Sequence, residues 1–264
     1  MKARLISAAV GMCLAANAVW AEVSVPLQSG GIWLDIRENM VADYQKLQDG
    51  VGVLDLHIPV RAHDAAIVPV KIKQLKDHRI DRLKLIIDEN PAPLVAEFSF
   101  GPDMYPLQLE TRVRVERYSN LRVIATLDTG KDYMVGGFIK ASGGCSAPAG
   151  KDPAAFAKTF GQIKVKQFSG GDTVREAQIM IRHPNYSGLQ RDQITHLFEP
   201  VNFIHALEVL QGDSLLFRME GGISISENPT VRFQYRDNGS RSIQVRAMDT
   251  DGNLFQKEII KQLF

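Results

Sequence analysis

Cysteine is almost absent from this sequence. Only Cys13 and Cys145 occur among the 264 residues, and we predict that Cys13 is removed with a signal peptide. One remaining thiol can form neither an internal disulfide nor a thiolate zinc site. In an exported protein an unpaired cysteine indicates a reactive thiol or an intermolecular bridge, and the alternative is a buried structural cysteine.

The sequence also lacks an excess of charge of either sign. It has 31 Lys and Arg residues against 30 Asp and Glu residues, for a formal net charge of +1. A basic surface for nucleic acid or for an anionic membrane is therefore not indicated, and we predict neither partner.

Long apolar runs are missing as well. The longest at the start of the chain, Leu5 to Ala16, is too short to cross a bilayer of about 30 Å as a helix. Lys2 and Arg4 precede it, and Val19-Trp-Ala21 supplies small residues at the positions that a signal peptidase requires. We predict a signal peptide over residues 1–21, cleaved after Ala21, export to the periplasm and no membrane association after cleavage.

Motifs of the common enzyme classes are absent too. The sequence has no glycine-rich phosphate loop of the required spacing and no nucleophile elbow. Its histidines show no metal-ligand spacing. They are His57, His63, His78, His183, His196 and His205. We therefore predict no catalytic residue, no metal and no cofactor.

What the sequence does contain is a series of short β-rich runs. Residues 33–47 have a helical spacing of apolar side chains and predict one short N-terminal helix. From residue 51 onward, runs of β-branched and aromatic residues alternate with turn residues. The predicted strands of the first block are Val53–Pro59, Ile67–Ile72, Arg82–Ile87, Leu94–Phe100, Gln108–Glu116, Asn120–Leu127 and Asp132–Lys140. About seven short strands without a long helix are typical of an immunoglobulin-like sandwich.

A second β-rich block follows a connector. Asp152-Pro153 provides an N-cap and a proline at the first helical position, so the connector is predicted to be partly helical. The predicted strands of the second block are Glu176–Arg182, Phe203–Gln211, Ser214–Met219, Thr230–Asp237, Ser242–Asp249 and Leu254–Ile260. The predicted fold is all-β, with two immunoglobulin-like sandwich domains at residues 33–145 and 165–264 and a connector at 146–164.

Two local patterns give more specific expectations. Thr111, Val113 and Val115 alternate with Arg112, Arg114 and Glu116, so the second set is expected on the opposite face of its strand. Asp237-Asn-Gly239 is typical of a hairpin turn.

Cys145 lies in the stretch Lys140-Ala-Ser-Gly-Gly-Cys-Ser-Ala-Pro-Ala-Gly150. Glycine frees the backbone, so Gly143 and Gly144 are predicted to form a flexible arm. No acidic residue lies within six positions of Cys145, and Lys140 and Lys151 are near it in sequence, so local charge does not disfavour a thiolate.

Three interpretations of this cysteine follow from the residues. It is a carrier or redox-active thiol, an incidental linker cysteine, or an enzymatic nucleophile. A nucleophile requires a base and an orienting group in fixed geometry, which a flexible arm does not provide.

Short motifs in both blocks match known families. Residues 51–145 resemble SoxY, the thiol carrier subunit of bacterial sulfur oxidation, on Ile67-Val-Pro-Val70, Asp88-Glu-Asn-Pro-Ala-Pro93 and Ser142-Gly-Gly-Cys145. Residues 174–264 resemble its partner SoxZ. That resemblance rests on Ile181-Arg-His-Pro184, Gly188, Ser224-Ile-Ser-Glu-Asn-Pro229, Asp249 and Gly252. The whole resembles a SoxYZ-like fusion, a type associated with quinoprotein dehydrogenases.

The resemblance implies two paired immunoglobulin-like domains and a non-enzymatic function. By resemblance, Cys145 is the attachment residue for sulfur-containing intermediates of thiosulfate oxidation, Gly143 and Gly144 belong to its arm, and the second domain is a scaffold. The implied partners are periplasmic sulfur-oxidation enzymes or a quinoprotein dehydrogenase system. The alternative function is a two-sandwich module that recruits such a dehydrogenase, with Cys145 incidental.

The sequence departs from the SoxY pattern after Cys145. The family's arm ends in Gly-Gly-Cys-Gly-Gly at the chain terminus, whereas here Ser146-Ala-Pro148 follows and the chain continues. Cys145 is therefore expected on a loop between fused domains. Tethering also makes the pairing of the domains intramolecular, at an effective concentration on the order of millimolar.

Overall fold

The structure, a computed structural model, describes residues 25–28, 30–148, 156–168, 171 and 173–262. The predicted signal peptide lies outside these residues. The connector helix was predicted over Ala154–Phe160. Residues 154 and 155 lie outside the described residues, Phe156 and Ala157 are helical, and residues 158–160 form a turn. Among the described residues, no helix is long and apolar enough to cross a membrane.

The chain is all-β with one short N-terminal helix, as predicted. Helix α1 spans Trp33–Met40, and 3₁₀ turns occur at Tyr44–Lys46 and Pro102–Met104. The first-half strands are β1 Gln48–Asp49, β2 Leu54–His57, β3 Val68–Gln74, β4 Ile80–Ile87, β5 Leu94–Phe100, β6 Gln108–Val113, β7 Ser119–Leu127 and β8 Asp132–Ile139. The second-half strands are β9 Ile163–Phe168, β10 Val174–Ile181, β11 Ile204–Gln211, β12 Ser214–Gly221, β13 Thr230–Arg236, β14 Ser242–Asp249 and β15 Leu254–Ile260.

These strands form two sheets that pack face to face as immunoglobulin-like sandwiches. The larger sheet has 9 strands in the order β1-β8-β7-β4-β5-β12-β11-β14-β15, and the smaller has 6 in the order β2-β3-β6-β13-β10-β9. All described strand pairs are antiparallel except β1 with β8.

Both sheets run continuously from the first half of the chain into the second. In the larger sheet β5 pairs with β12, with Phe98 opposite Met219 and Phe100 opposite Phe217. In the smaller sheet β6 pairs with β13 over Leu109 to Thr111. Each half thereby covers a strand edge that would otherwise present unpaired N–H and C=O groups. The two domains pair, as predicted, and they do so by contributing strands to the same two sheets.

The core follows from the period-2 pattern of the strands. In β3, Val68, Val70 and Ile72 point inward and are buried, whereas Pro69, Lys71 and Lys73 point outward. One continuous cluster of buried apolar residues includes members of both sheets and both halves. Burial of this cluster is the main stabilising contribution and fixes the register of the strands.

Helix α1 covers the outer face of the larger sheet. Trp33 and Val41 pack with Ile86 of β4 and Ile124 of β7. The helix was predicted to extend to Leu47 but ends at Met40, because Val41 is extended (φ −131°, ψ 121°). That change of direction places the Val41 side chain in the buried cluster.

Three other predictions differ from the structure. β9 was not predicted, although Ile163-Lys-Val-Lys alternates, and it adds an edge strand beside β10. β6 ends at Val113 instead of Glu116, because Arg114 N–H bonds to Ser224 O, 2.7 Å. The Asp237–Gly239 turn is not a hairpin, since β13 and β14 belong to different sheets.

Candidate functional site

Cys145 lies just after β8, in a segment of residues 141–148 that we call the Cys145 segment. Its side chain is completely buried (0% exposed) and is a free thiol. Within the part of the chain that the structure describes, Cys145 is the one cysteine. Its surroundings come from both halves of the chain, so the site depends on their pairing.

Gly143 and Gly144 fix the path of the Cys145 segment. Gly143 N–H donates to Glu116 O (2.9 Å), and Gly144 N–H donates to Val115 O (3.0 Å). Gly143 has φ +79°, and a Cβ on Gly144 would lie 2.1 Å from Ala65 O. Larger residues would be strained at the first position and would clash at the second.

The prediction of a flexible arm therefore differs from the observed geometry. The two glycines permit close backbone packing and a left-handed turn, and they do not extend away from the sandwich. Sequence alone could not distinguish these uses, because glycine serves both.

Glu116 holds the segment from the first half of the chain. Its Oε2 accepts from Cys145 N–H (2.8 Å) and from Ser146 N–H (3.3 Å), and its Oε1 accepts from Ser146 Oγ (3.3 Å). A carboxylate that accepts several such bonds makes stronger contacts than a neutral oxygen would.

Ser187 and Gln190 hold the same segment from the second half. Ser187 Oγ donates to Cys145 O (2.5 Å), and Gln190 Nε2 donates to Ala147 O (2.9 Å). Gln190 Oε1 also accepts from Ser187 N–H (3.0 Å), which orients both side chains. Cys145 is thus bound by hydrogen bonds on both sides of the junction between the halves.

Asn90 connects the two halves behind the thiol. Its Nδ2 donates to Arg114 O (2.8 Å) and to Ser224 Oγ (2.9 Å), and its Oδ1 accepts from Glu116 N–H (2.8 Å). Ser224 Oγ itself donates to Ala92 O (3.3 Å), and Ser224 acts to lower the pKa of the Cys145 thiol. The short motifs that contain Asn90 and Ser224 therefore meet at Cys145.

The environment keeps the thiol protonated. Burial is the largest cause and Glu116 the next, and together they raise the pKa of Cys145 to about 11, against lowering by Arg114 and Ser224. The expectation that local charge does not disfavour a thiolate is thus wrong for this conformation. Glu116 is distant in sequence, and Lys151 lies outside the described residues.

Arg114 acts on the pKa of the thiol in the opposite direction from Glu116 and is only 2% exposed. Its Nη2 donates to Pro184 O (3.2 Å), while Nε and Nη1 have no hydrogen-bond partner. Burial lowers the pKa of Arg114. The strand alternation predicted Arg114 on the opposite face from the core. It is buried because β6 ends one residue earlier.

The histidines give no second site. His183 is buried, and its Nδ1 accepts from Asn185 N–H (3.0 Å) while Nε2 lies 3.3 Å from Asp249 Oδ2. This arrangement places the proton on Nε2, and burial lowers the pKa of His183. Within the described ranges, no cluster of three or more His, Cys, Asp or Glu side chains could hold a metal ion.

Of the residues that sequence reasoning assigned to the site, the structure brings Gly143, Gly144 and Cys145 together. It adds residues that the sequence analysis did not select for the site. They are Asn90, Arg114, Glu116, Ser187, Gln190 and Ser224. Asn90 and Ser224 could have been found, because both belong to the motifs that carried the resemblance.

Two families match the chain in sequence. Residues 37–145 match the family described as "Sulfur oxidation protein SoxY", and residues 163–259 match "Sulphur oxidation protein SoxZ". The first match ends at Cys145. No curated protein matches the chain.

Solved structures give weaker similarities. The sulfur carrier protein SoxY from Chlorobium limicola f thiosulfatophilum is 24% identical over 39% of this chain and 89% of its own, with a TM-score of 0.34. A beta-glycosidase from Bacteroides vulgatus is 11% identical over 79% of this chain and 24% of its own, with a TM-score of 0.25. Neither superposition is close enough to support an argument about function.

Proposed function

Because the chain is a SoxY domain followed by a SoxZ domain, we propose that it is a periplasmic sulfur carrier that holds its cargo covalently on Cys145. The supporting observation is the position of Cys145. It ends the SoxY match and lies in a pocket whose walls come from both domains. The protein presents the cargo, and separate enzymes perform the chemistry.

The loading step requires a partner that accepts electrons. The Cys145 thiol and thiosulfate together form Cys145–S–S–SO₃⁻, one proton and two electrons, which a redox enzyme of the periplasm must take up. We infer that sulfur-oxidation enzymes or a quinoprotein dehydrogenase system are the partners. The family matches support the first of these, since both families are described as sulfur oxidation proteins.

Cys145 must leave its pocket to react. In the observed position the sulfur is inaccessible and protonated. Release breaks the hydrogen bonds that the segment donates to Glu116 and those that it accepts from Ser187 and Gln190, each contributing about 1 kcal/mol. The open form is then a minor state, populated at roughly 0.1–10%. A partner that binds the open form would increase its population.

The test is the intact mass of protein purified from its native cells without reductant, after growth with and without thiosulfate. We expect a mass increase at Cys145 that depends on thiosulfate. The Cys145→Ser variant should show none, and Ser146→Ala, a matched control beside it, should retain the adduct. An unmodified Cys145 under both conditions would contradict the proposal.

The closed pocket supports a second candidate function, the recruitment of a periplasmic quinoprotein dehydrogenase by the sandwich surface with Cys145 as a structural residue. A thiol that is completely buried suits that function. Cells carrying Cys145→Ser would then oxidise the dehydrogenase substrate at the wild-type rate, whereas the carrier function predicts that the variant is inactive.

A further inference from the structure

Arg114 has an unsatisfied guanidinium in the interior of the protein. Its side chain is 2% exposed, and two of its three nitrogen atoms, Nε and Nη1, have no partner. Burying a charged donor without a partner is costly, and such groups are rare in proteins. The structure accounts for its Nη2 bond to Pro184 O but not for the remaining donors.

The position of Arg114 relates it directly to the thiol. Val115, the residue after Arg114, accepts at its O from the N–H of Gly144, the residue before Cys145 (3.0 Å). The Arg114 guanidinium donates to Pro184 O, three residues before the Ser187 that donates to Cys145 O. The same loop therefore contacts the Arg114 guanidinium and the Cys145 backbone, and the guanidinium and the thiol interact electrostatically.

An anion is the natural ligand for these free donors. A guanidinium presents N–H groups in a planar fork that fits the oxygens of a carboxylate, phosphate or sulfonate. The oxygens of Glu116 already accept from Cys145 N–H, Ser146 N–H and Ser146 Oγ. The charge of Glu227 acts on Arg114 without a hydrogen bond to Nε or Nη1. The free donors therefore remain available to a group attached to the sulfur.

We propose that Arg114 binds the terminal sulfonate of a group carried on Cys145, so that the loaded Cys145 segment is held in place by a charge-assisted contact that the empty thiol cannot make. This inference rests on the proposed function, since it concerns the same cysteine. The pocket is filled by the thiol, so the Cys145 segment is expected to shift outward on loading while the flexible Arg114 stem follows.

Two adducts that are both joined to Cys145 through an S–S bond, one anionic and one neutral, test this proposal. Tetrathionate transfers an anionic group: Cys145–S⁻ and ⁻O₃S–S–S–SO₃⁻ give Cys145–S–S–SO₃⁻ and thiosulfate. Methyl methanethiosulfonate transfers a neutral one: Cys145–S⁻ and CH₃–S–SO₂–CH₃ give Cys145–S–S–CH₃ and methanesulfinate. Loading of each adduct is verified by intact mass on the full chain.

The thermal midpoints of the two adducts are then compared. In the wild type the anionic adduct should melt about 5 °C above the neutral one, from the typical strength of hydrogen bonds to charged groups. In Arg114→Met the order should reverse, because the sulfonate is then buried without a counter-ion. Arg114→Lys, which keeps the charge but not the planar fork, should give an intermediate difference.

The proposal would be overturned if the thermal midpoints of the anionic and neutral adducts differed by the same amount in the wild type and in Arg114→Met. A measurement on the wild type alone gives an independent answer, since the ¹⁵N resonance of the Arg114 side chain should move with the anionic adduct and not with the neutral one. Both adducts are installed chemically. The result therefore does not depend on whether cells load Cys145, and failure of the carrier function would be seen separately in the native masses.

Discussion

Arg122 and Arg114 are both buried in the first half of the chain, yet their surroundings are opposite. The Arg122 guanidinium makes a bidentate salt bridge with buried Asp88, with N···O distances of 2.9 to 3.0 Å. It also lies over the Trp33 ring, 4.3 Å from the ring centroid. Among the described residues, no such acid forms an ion pair with the Arg114 guanidinium, whose hydrogen bond is to Pro184 O.

This difference in hydrogen bonding distinguishes a charge that stabilises the fold from the charge that we propose binds a ligand. Arg122 links β7 to the loop after β4 through Asp88 and packs against Trp33 of α1. Its guanidinium therefore has partners without any ligand. Arg114 retains free donors beside the one described thiol. Unsatisfied groups of this kind reduce stability and are typical of functional sites.

The largest expected effect is the loss of Arg122. Arg122→Met leaves Asp88 buried without its counter-ion and should reduce the free energy of unfolding by about 3–5 kcal/mol. Urea unfolding measures this change. The control is Arg79→Met, which removes an ion pair with Asp81 at the surface and should leave the midpoint nearly unchanged. Similar losses in both variants would remove the distinction between the two classes of arginine.

The next effect concerns the thiol beside Arg114. The folded pKa of Cys145 is about 11 against an ordinary value of 9.0, so the folded state binds this proton more tightly than the unfolded state. The resulting stability is complete below pH 9 and is lost as the pH rises from 9 through 11. Two pKa units correspond to roughly 2–3 kcal/mol.

Unfolding of the wild type and of Cys145→Ser between pH 8 and pH 11 measures this contribution. We expect the wild type to lose roughly 2–3 kcal/mol more than the variant. Other groups titrate equally in both proteins and cancel in the difference. Parallel stability curves would show that the thiol is not held in a protonating environment.

Arg114→Met should change stability in the opposite direction from Arg122→Met. In the unloaded protein this substitution removes an incompletely bonded charge and keeps most of the apolar stem. The free energy of unfolding should rise by about 1 kcal/mol. A loss of several kcal/mol in the same urea assay would mean that Arg114, like Arg122, is a structural charge.

Much of this fold could be predicted from local sequence. Leu94–Phe100, Ser242–Asp249 and Leu254–Ile260 were predicted with the bounds that the structure gives them, because alternation and turn residues are local signals. The fusion of the two sandwiches through β5–β12 and β6–β13 could not be predicted in this way. Pairing of strand edges is set by contacts between residues far apart in sequence.

In the site, too, the features that local sequence signals could predict differ from those that depend on contacts between distant residues. Cys145 was found by composition alone, because no other residue after the predicted signal peptide provides a thiol. Arg114 was missed because the alternation predicted for residues 111–116 was extended beyond Val113, where the backbone leaves β6 to bond with Ser224. Glu116 was missed because it reaches Cys145 from 29 positions away. Both errors arise where tertiary hydrogen bonds replace the strand pattern.

The smallest expected effect comes from residues 184–187, which contact both the Arg114 guanidinium and the Cys145 carbonyl. Ser187→Ala removes the hydrogen bond to Cys145 O and should favour the open form by about 1 kcal/mol. Alkylation of Cys145 by iodoacetamide at pH 8 should then be about 5-fold faster, because the reaction proceeds through that form.

Ser99→Ala is the control for this variant. Ser99 is exposed on β5, so its replacement should leave the alkylation rate unchanged. In Ser187→Ala the contribution of Arg122 to stability should also be unchanged, since the described hydrogen bonds of Ser187 are to Gln190, Cys145 and Leu189 and not to Asp88. An alkylation rate equal to that of the wild type would show that the Ser187 hydrogen bond does not hold Cys145 closed, and that the contacts of Glu116 and Gln190 suffice.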